Sequence, residues 1–194
     1  MNLPNRITST RLVLSPVFFL LFFIPVWSGL FSTLSVVLLW LIFITIEITD
    51  AVDGSVARSR DEVTDMGKLL DPFSDVFSRI TYFVCFAVVG ILPAWMLMVV
   101  LYREFGITFV RLLMFRRGTA LAARSGGKVK TLFYFFSAAI SLILLTMSRT
   151  DLFMPWYDTV HTVAYIIYIV AALLSIASFL DYLRIFRGTP AAEE

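Results

Sequence analysis

The chain has 194 residues, 59% of them apolar, with 16 Lys and Arg against 14 Asp and Glu for a net charge of +2. Soluble domains run nearer 45 to 50% apolar, so this composition and a mean hydropathy of +0.88 exclude an ordinary water-soluble domain and place the chain among integral membrane proteins. So small a net charge gives no reason to expect nucleic acid as a partner, and a single cysteine, Cys85, excludes a disulfide within the chain.

About 20 apolar residues cross a bilayer as a helix, and six such segments can be marked in order. They cover about Pro4–Trp27, Phe31–Arg58, Leu69–Ile91, Pro93–Arg116, Val129–Met147 and Tyr157–Ile185. The expected fold is therefore an all-α integral membrane protein of six transmembrane helices. Pro16 and Pro25 interrupt the first apolar stretch, and no small-x-small cleavage pattern precedes Trp27, so this segment reads as a membrane helix and not a secretory signal. A single membrane domain over residues 1–187 is expected, followed by a short flexible tail at 188–194.

Charge placement orients the helices. Arg6 and Arg11 open the first segment, Arg58, Arg60 and Lys68 join the second to the third, Arg116, Arg117, Arg124, Lys128 and Lys130 join the fourth to the fifth, and Arg184 and Arg187 close the sixth. Positive residues concentrate on the cytoplasmic side, so both termini and these junctions are expected there. Trp27, Trp95 and Trp156 fall at the opposite turns, where an interfacial aromatic belt belongs. His161, the only histidine, lies near that outer interface and reads as a solvated surface group.

Between Asp50 and Asp75 the apolar pattern is broken by four aspartates, Asp50, Asp53, Asp71 and Asp75. An aspartate near the middle of a membrane helix costs about 2.5 to 3.5 kcal/mol on insertion scales, so four together require compensation. Asp50 and Asp53 are three residues apart and Asp71 and Asp75 four apart, which puts each pair on one helix face. Two such helices packed antiparallel can direct all four carboxylates into one pocket. Oxygen donors without a nearby His or Cys favour hard divalent ions, chiefly Mg²⁺, with Mn²⁺ or Ca²⁺ also suited. Gly54, Ala57 and Gly67 leave the helix surfaces without bulk, which admits a diphosphate close to the backbone or simply permits close helix packing. Arg58, at the end of the second segment, is placed to pair with a phosphate or a carboxylate.

Asp50, Asp53, Gly54, Ala57, Arg58, Gly67, Asp71 and Asp75 together reproduce the D-x-x-D-G-x-x-A-R-x8-G-x-x-x-D-x-x-x-D signature, and the chain resembles the CDP-alcohol phosphatidyltransferases. The resemblance implies that Asp50, Asp53, Asp71 and Asp75 bind two divalent ions, that these grip the diphosphate of a CDP-linked lipid lying against Asp50, Gly54, Ala57, Arg58 and Gly67, and that Asp75 is the general base. It also implies a homodimer in the inner (cytoplasmic) membrane.

The signature leaves the acceptor open. Three other segments resemble bacterial phosphatidylglycerophosphate synthases: Asn2 to Arg11, the pair Arg103-Glu104 followed by Arg111, and Gly127 to Thr131. That likeness implies CDP-diacylglycerol and glycerol 3-phosphate as substrates. Arg103 and Arg111, eight residues apart on roughly one helix face, with Lys128 and Lys130 at the start of the fifth segment, form a candidate cradle for the acceptor's phosphate. The same charges at cytoplasmic helix ends also set topology and meet anionic lipid. Val76 stands where those synthases usually carry lysine, so inositol phosphate, serine or phosphatidylglycerol remain alternative acceptors. Glu47 and Arg79 each lie one turn from a motif aspartate without a role that sequence decides. A prenyltransferase, whose Asp-rich motifs lie far apart in the chain, and a membrane transporter are the rival classes.

Overall fold

The computed structural model describes residues 3–59, 65–116 and 125–188; within them, the side chains of residues 3–5, 53–59, 65–66, 68–69, 115–116 and 125–128 are not described. The described residues form six long helices and no strand: α1 (Leu3–Ser28), α2 (Ser32–Ser59), α3 (Asp65–Val88), α4 (Ala94–Arg116), α5 (Ser125–Thr150) and α6 (Tyr157–Gly188). A single 3₁₀ turn, Met154–Trp156, leads into α6. All six expected segments are present. α3 starts four residues earlier than expected and α6 runs three residues further, so that Gly188 closes α6 instead of opening the tail; residues 189–194 lie outside the described residues.

Proline does not break these helices. α1 runs continuously through Pro16 and Pro25, and α3 through Pro72. Each proline removes one backbone donor from the helical ladder, a loss that dense packing outweighs here. The short turns between α1 and α2 and between α3 and α4 use left-handed backbone at Gly29 (φ +70°) and Gly90 (φ +77°), conformations that glycine adopts without a Cβ clash. Gly29 donates to the Pro25 carbonyl at 2.9 Å and ends α1.

α1 packs along both α2 and α3, while α6 packs along α5 and α4. The two groups of three meet where α5 touches α2 and α3 and where α3 touches α4. A continuous aromatic core fills the junction: Phe18 and Phe22 from α1, Phe43 from α2, Tyr82, Phe83 and Phe86 from α3, and Tyr134 from α5 are all buried. Phe18 lies 4.8 Å from Tyr82, Phe43 5.4 Å from Tyr82, and Phe83 5.7 Å from Tyr134, centroid to centroid. Cys85 is buried among them, as a small apolar side chain. This core forms the floor beneath the charged end of the bundle.

Among the described residues, four helical stretches are long and apolar enough to cross a membrane: Arg6–Ser28, Ser32–Val52, Val129–Thr150 and Met154–Gly188. α3 and α4 fall short in apolarity, not in length. Asp71, Asp75 and Arg79 occupy α3, and Arg103, Glu104 and Arg111 occupy α4, so the residues that carry charge into the bundle dilute those two helices. Many large apolar side chains face outward, Leu41, Phe105, Phe109, Ile166 and Leu173 among them, as lipid contact requires.

A candidate active site at the charged end of the bundle

α2 and α3 both pack against α1, and Asp50 of α2 comes next to Asp71 and Asp75 of α3. Each of the three offers one carboxylate oxygen, and these oxygens lie within 4.8 Å of one another. Asp71 and Asp75, one turn apart, share a face of α3, which is why spacing alone pointed to this convergence. Their side chains keep partial access to solvent, 36% for Asp50, 48% for Asp71 and 28% for Asp75, so a soluble ion or headgroup can reach them. An all-oxygen donor set of this size fits a hard divalent cation. Asp53, Gly54, Ala57, Arg58 and Lys128, also expected at the site, have side chains outside the described residues. Gly67 lies in the first turn of α3, half-buried.

Arg11, which the sequence presents as an orienting charge and as the end of the Asn2–Arg11 segment, is a site residue. Two turns into α1 and 1% exposed, its guanidinium reaches all three carboxylates: Nη1 donates to Oδ1 of Asp50 and of Asp75, and Nη2 donates to Oδ1 of Asp71 at 2.6 Å. Ser15, one turn on, donates to the Arg11 carbonyl at 2.7 Å and bonds Ser78 of α3 at 3.0 Å, which fixes the register of α1 against α3. The available signal was an arginine two turns into an apolar helix. Such a residue needs an internal partner.

Behind the carboxylates a narrow cleft with about 30 Å³ of free volume runs toward α5, lined by Glu47, Asp75, Arg79 and Tyr82 on one side and by Thr131 and Tyr134 on the other. That is room for little more than water. The Tyr82 hydroxyl is buried in this lining with no hydrogen-bond partner among the described residues, so an ordered water or a substrate oxygen is the natural group to meet it. Glu47 and Arg79, whose roles sequence left open, both line this cleft.

Further along lies a second cluster of charge. Arg103 of α4 is buried, and its Nη1 lies 2.9 Å from each oxygen of Glu104 while Nη2 donates to Ser178 of α6 at 3.1 Å. Lys130 of α5 donates to Glu104 Oε1 at 2.7 Å. The Lys130 ammonium also sits 4.6 Å from the centre of the Tyr134 ring, over which Arg79 lies at 5.2 Å. A chain of side chains thus runs from the acidic site through Arg79 and Tyr134 to Lys130, Glu104 and Arg103. Of the four cations expected to hold an acceptor phosphate, Arg103 and Lys130 are brought together. Arg111 stands about 12 Å further along α4, exposed, with its guanidinium 5.9 Å from the Tyr182 ring. Eight residues advance a helix about 80° beyond two full turns, so one arginine faces the bundle interior and the other its rim.

A family model for CDP-alcohol phosphatidyltransferases matches residues 1–183. The chain belongs to this family. Curated relatives include a protein of Treponema pallidum named CDP-diacylglycerol–glycerol-3-phosphate 3-phosphatidyltransferase, 32% identical over 96% of this chain and 89% of the relative. A Mycobacterium tuberculosis protein named probable phosphatidylglycerophosphate synthase is 34% identical over 93% of this chain and 79% of its own length. A Bacillus subtilis protein with the same name as the treponemal one is 37% identical over 67% of this chain and 70% of its own. Membership in a phosphatidyltransferase family makes the chain an enzyme, which answers the transporter alternative, and the acidic cluster on α2 and α3 coincides with the family signature.

Proposed function

We propose that this phosphatidyltransferase moves the phosphatidyl group of CDP-diacylglycerol onto glycerol 3-phosphate, forming phosphatidylglycerophosphate and CMP. The observation that carries the proposal is the convergence of Asp50, Asp71 and Asp75 from two helices onto one point, in a chain whose relatives along most of its length bear the name of that reaction. Asp50, Asp53, Asp71 and Asp75 would hold two divalent ions, Mg²⁺ or Mn²⁺, which when bound neutralise charge on the donor's diphosphate and on departing CMP.

The chain's own residues then have distinct tasks. Gly54, Ala57 and Gly67 leave space for the diphosphate beside the backbone, and Arg58 pairs with its phosphate. Asp75 takes the proton from the acceptor's hydroxyl as that oxygen attacks the lipid-bearing phosphorus. The new P–O bond forms as the bond to CMP breaks, and CMP keeps the bridging oxygen. Arg103 and Lys130, with Arg111 and Lys128 toward the rim, draw in the acceptor's phosphate. Arg79, lying between the two groups of charge, faces both.

We further propose that α3 and α4 also cross the bilayer. At 24 and 23 residues they are about 36 and 34 Å long, enough for a hydrocarbon core of about 30 Å. The single domain of residues 1–187 then has both termini and the acidic end on the cytoplasmic side of the inner membrane, where its Lys and Arg concentrate. It works as a homodimer with a short tail after α6.

The test is an acceptor panel. Purified protein supplied with CDP-diacylglycerol and Mg²⁺ releases CMP with glycerol 3-phosphate and not with inositol phosphate, serine or phosphatidylglycerol. Product with one of these and none with glycerol 3-phosphate would refute the assignment of the acceptor while leaving the reaction class intact.

A further inference from the structure

The Arg11 guanidinium contacts one oxygen of each of the three aspartates, Oδ1 in every case. Those carboxylates are the donors that a divalent ion would use. A guanidinium and an ion cannot both lie in full contact with the same three oxygens, because two positive centres at that spacing repel and the lone pairs facing the centre are shared. Arg11 is also no loose surface group. It is 1% exposed, and the Ser15–Ser78 contact anchors its turn of α1 to α3. Its charge is therefore a permanent part of the site.

We propose that Arg11 is a positioning residue that sets how tightly the enzyme holds its ions: it competes with them for Asp50, Asp71 and Asp75, and it yields those oxygens when the diphosphate of the donor offers an alternative partner. This rests on the reading of the three aspartates as metal ligands and adds to it a built-in coupling. An arginine released from carboxylates pairs equally well, and often bidentately, with phosphate. Ion and donor then bind cooperatively, since each weakens the hold of Arg11 on the site that the other needs. The free enzyme holds its ions weakly, and the loaded enzyme holds them firmly.

The experiment measures Mn²⁺ binding to the full-length protein in detergent by electron paramagnetic resonance of the free ion, with and without CDP as a soluble diphosphate. The wild type is expected to bind Mn²⁺ weakly alone and much more tightly with CDP. Arg11→Gln should bind Mn²⁺ alone at least about tenfold more tightly than the wild type, the scale of removing one unit charge at contact distance in a partly solvated site, and CDP should improve its affinity less. Arg11→Lys keeps the charge, but a single ammonium cannot bridge three oxygens. It should fall between the two, and it serves as the test if Arg11→Gln does not insert stably.

Mn²⁺ affinity in Arg11→Lys equal to or weaker than that of the wild type, or a CDP effect undiminished in Arg11→Gln, would overturn the proposal. A wild type that binds no Mn²⁺ even with CDP would overturn instead the metal-holding role of the aspartates, so the two failures are separable.

Discussion

Glu104→Gln is the substitution with the largest calculable structural consequence. Glu104 is 5% exposed and is the shared acceptor of two buried cations, Arg103 with contacts of 2.9 Å to both oxygens and Lys130 at 2.7 Å. Glutamine keeps the shape but removes the negative charge and turns an amide donor toward one of the cations. Breaking a buried ion pair while leaving its partner in place costs about 3 to 5 kcal/mol, because the orphaned charge has neither water nor a counter-ion. Here one substitution orphans two. A loss at or above the upper part of that range follows, read as thermal unfolding of the detergent-solubilised protein by tryptophan fluorescence. Adding Lys130→Met to Glu104→Gln removes one of the orphaned cations, so the double variant should be more stable than the sum of the single effects predicts, by about 1 kcal/mol or more. A loss below about 1 kcal/mol for Glu104→Gln, the scale of an exposed pair, would refute the description of this cluster as a buried network.

Four other substitutions test separate features of the site and the fold. Arg103→Ala should raise the KM for glycerol 3-phosphate by about tenfold or more, the scale of one lost charge-assisted hydrogen bond, with the KM for CDP-diacylglycerol little changed in steady-state CMP release; an unchanged acceptor KM and rate would remove Arg103 from the cradle. Asp71→Asn, and likewise Asp53→Asn, should abolish turnover while membrane fractionation and unfolding still report an inserted, folded chain. Gly106→Ala would place a Cβ 2.7 Å from the far edge of the half-buried Phe179 ring, so that ring must swing aside; a loss of about 1 kcal/mol is expected, and Phe179→Leu in the same chain should recover part of it.

Much of the fold was legible because the helices announce themselves locally: α1, α2, α5 and α6 as apolar runs of membrane length, and α3 and α4 as runs of the same length diluted by the charges they carry, all between charged or glycine-containing turns. The convergence of Asp50 with Asp71 and Asp75 was legible for the same reason, since pair spacing and one short connection leave few other arrangements. Arg11 was not. Its partners lie 39, 60 and 64 residues away, and an arginine near the start of a membrane helix serves equally well as an orienting charge. The Arg103 pairing was half-visible. Glu104 follows it directly, but the capture of Lys130 by the same carboxylate depends on how α4 meets α5 and α6, which no local pattern encodes. Arg111 shows the limit of helical-face arguments, since an 80° offset sends it to the rim beside Tyr182.

The need for metal at the three aspartates is read from acceptor-dependent CMP release before and after exhaustive chelation. Purified protein stripped of divalent ions should release no CMP from CDP-diacylglycerol when glycerol 3-phosphate is added, and Mg²⁺ or Mn²⁺ should restore the reaction. Undiminished release from the stripped protein would contradict that need.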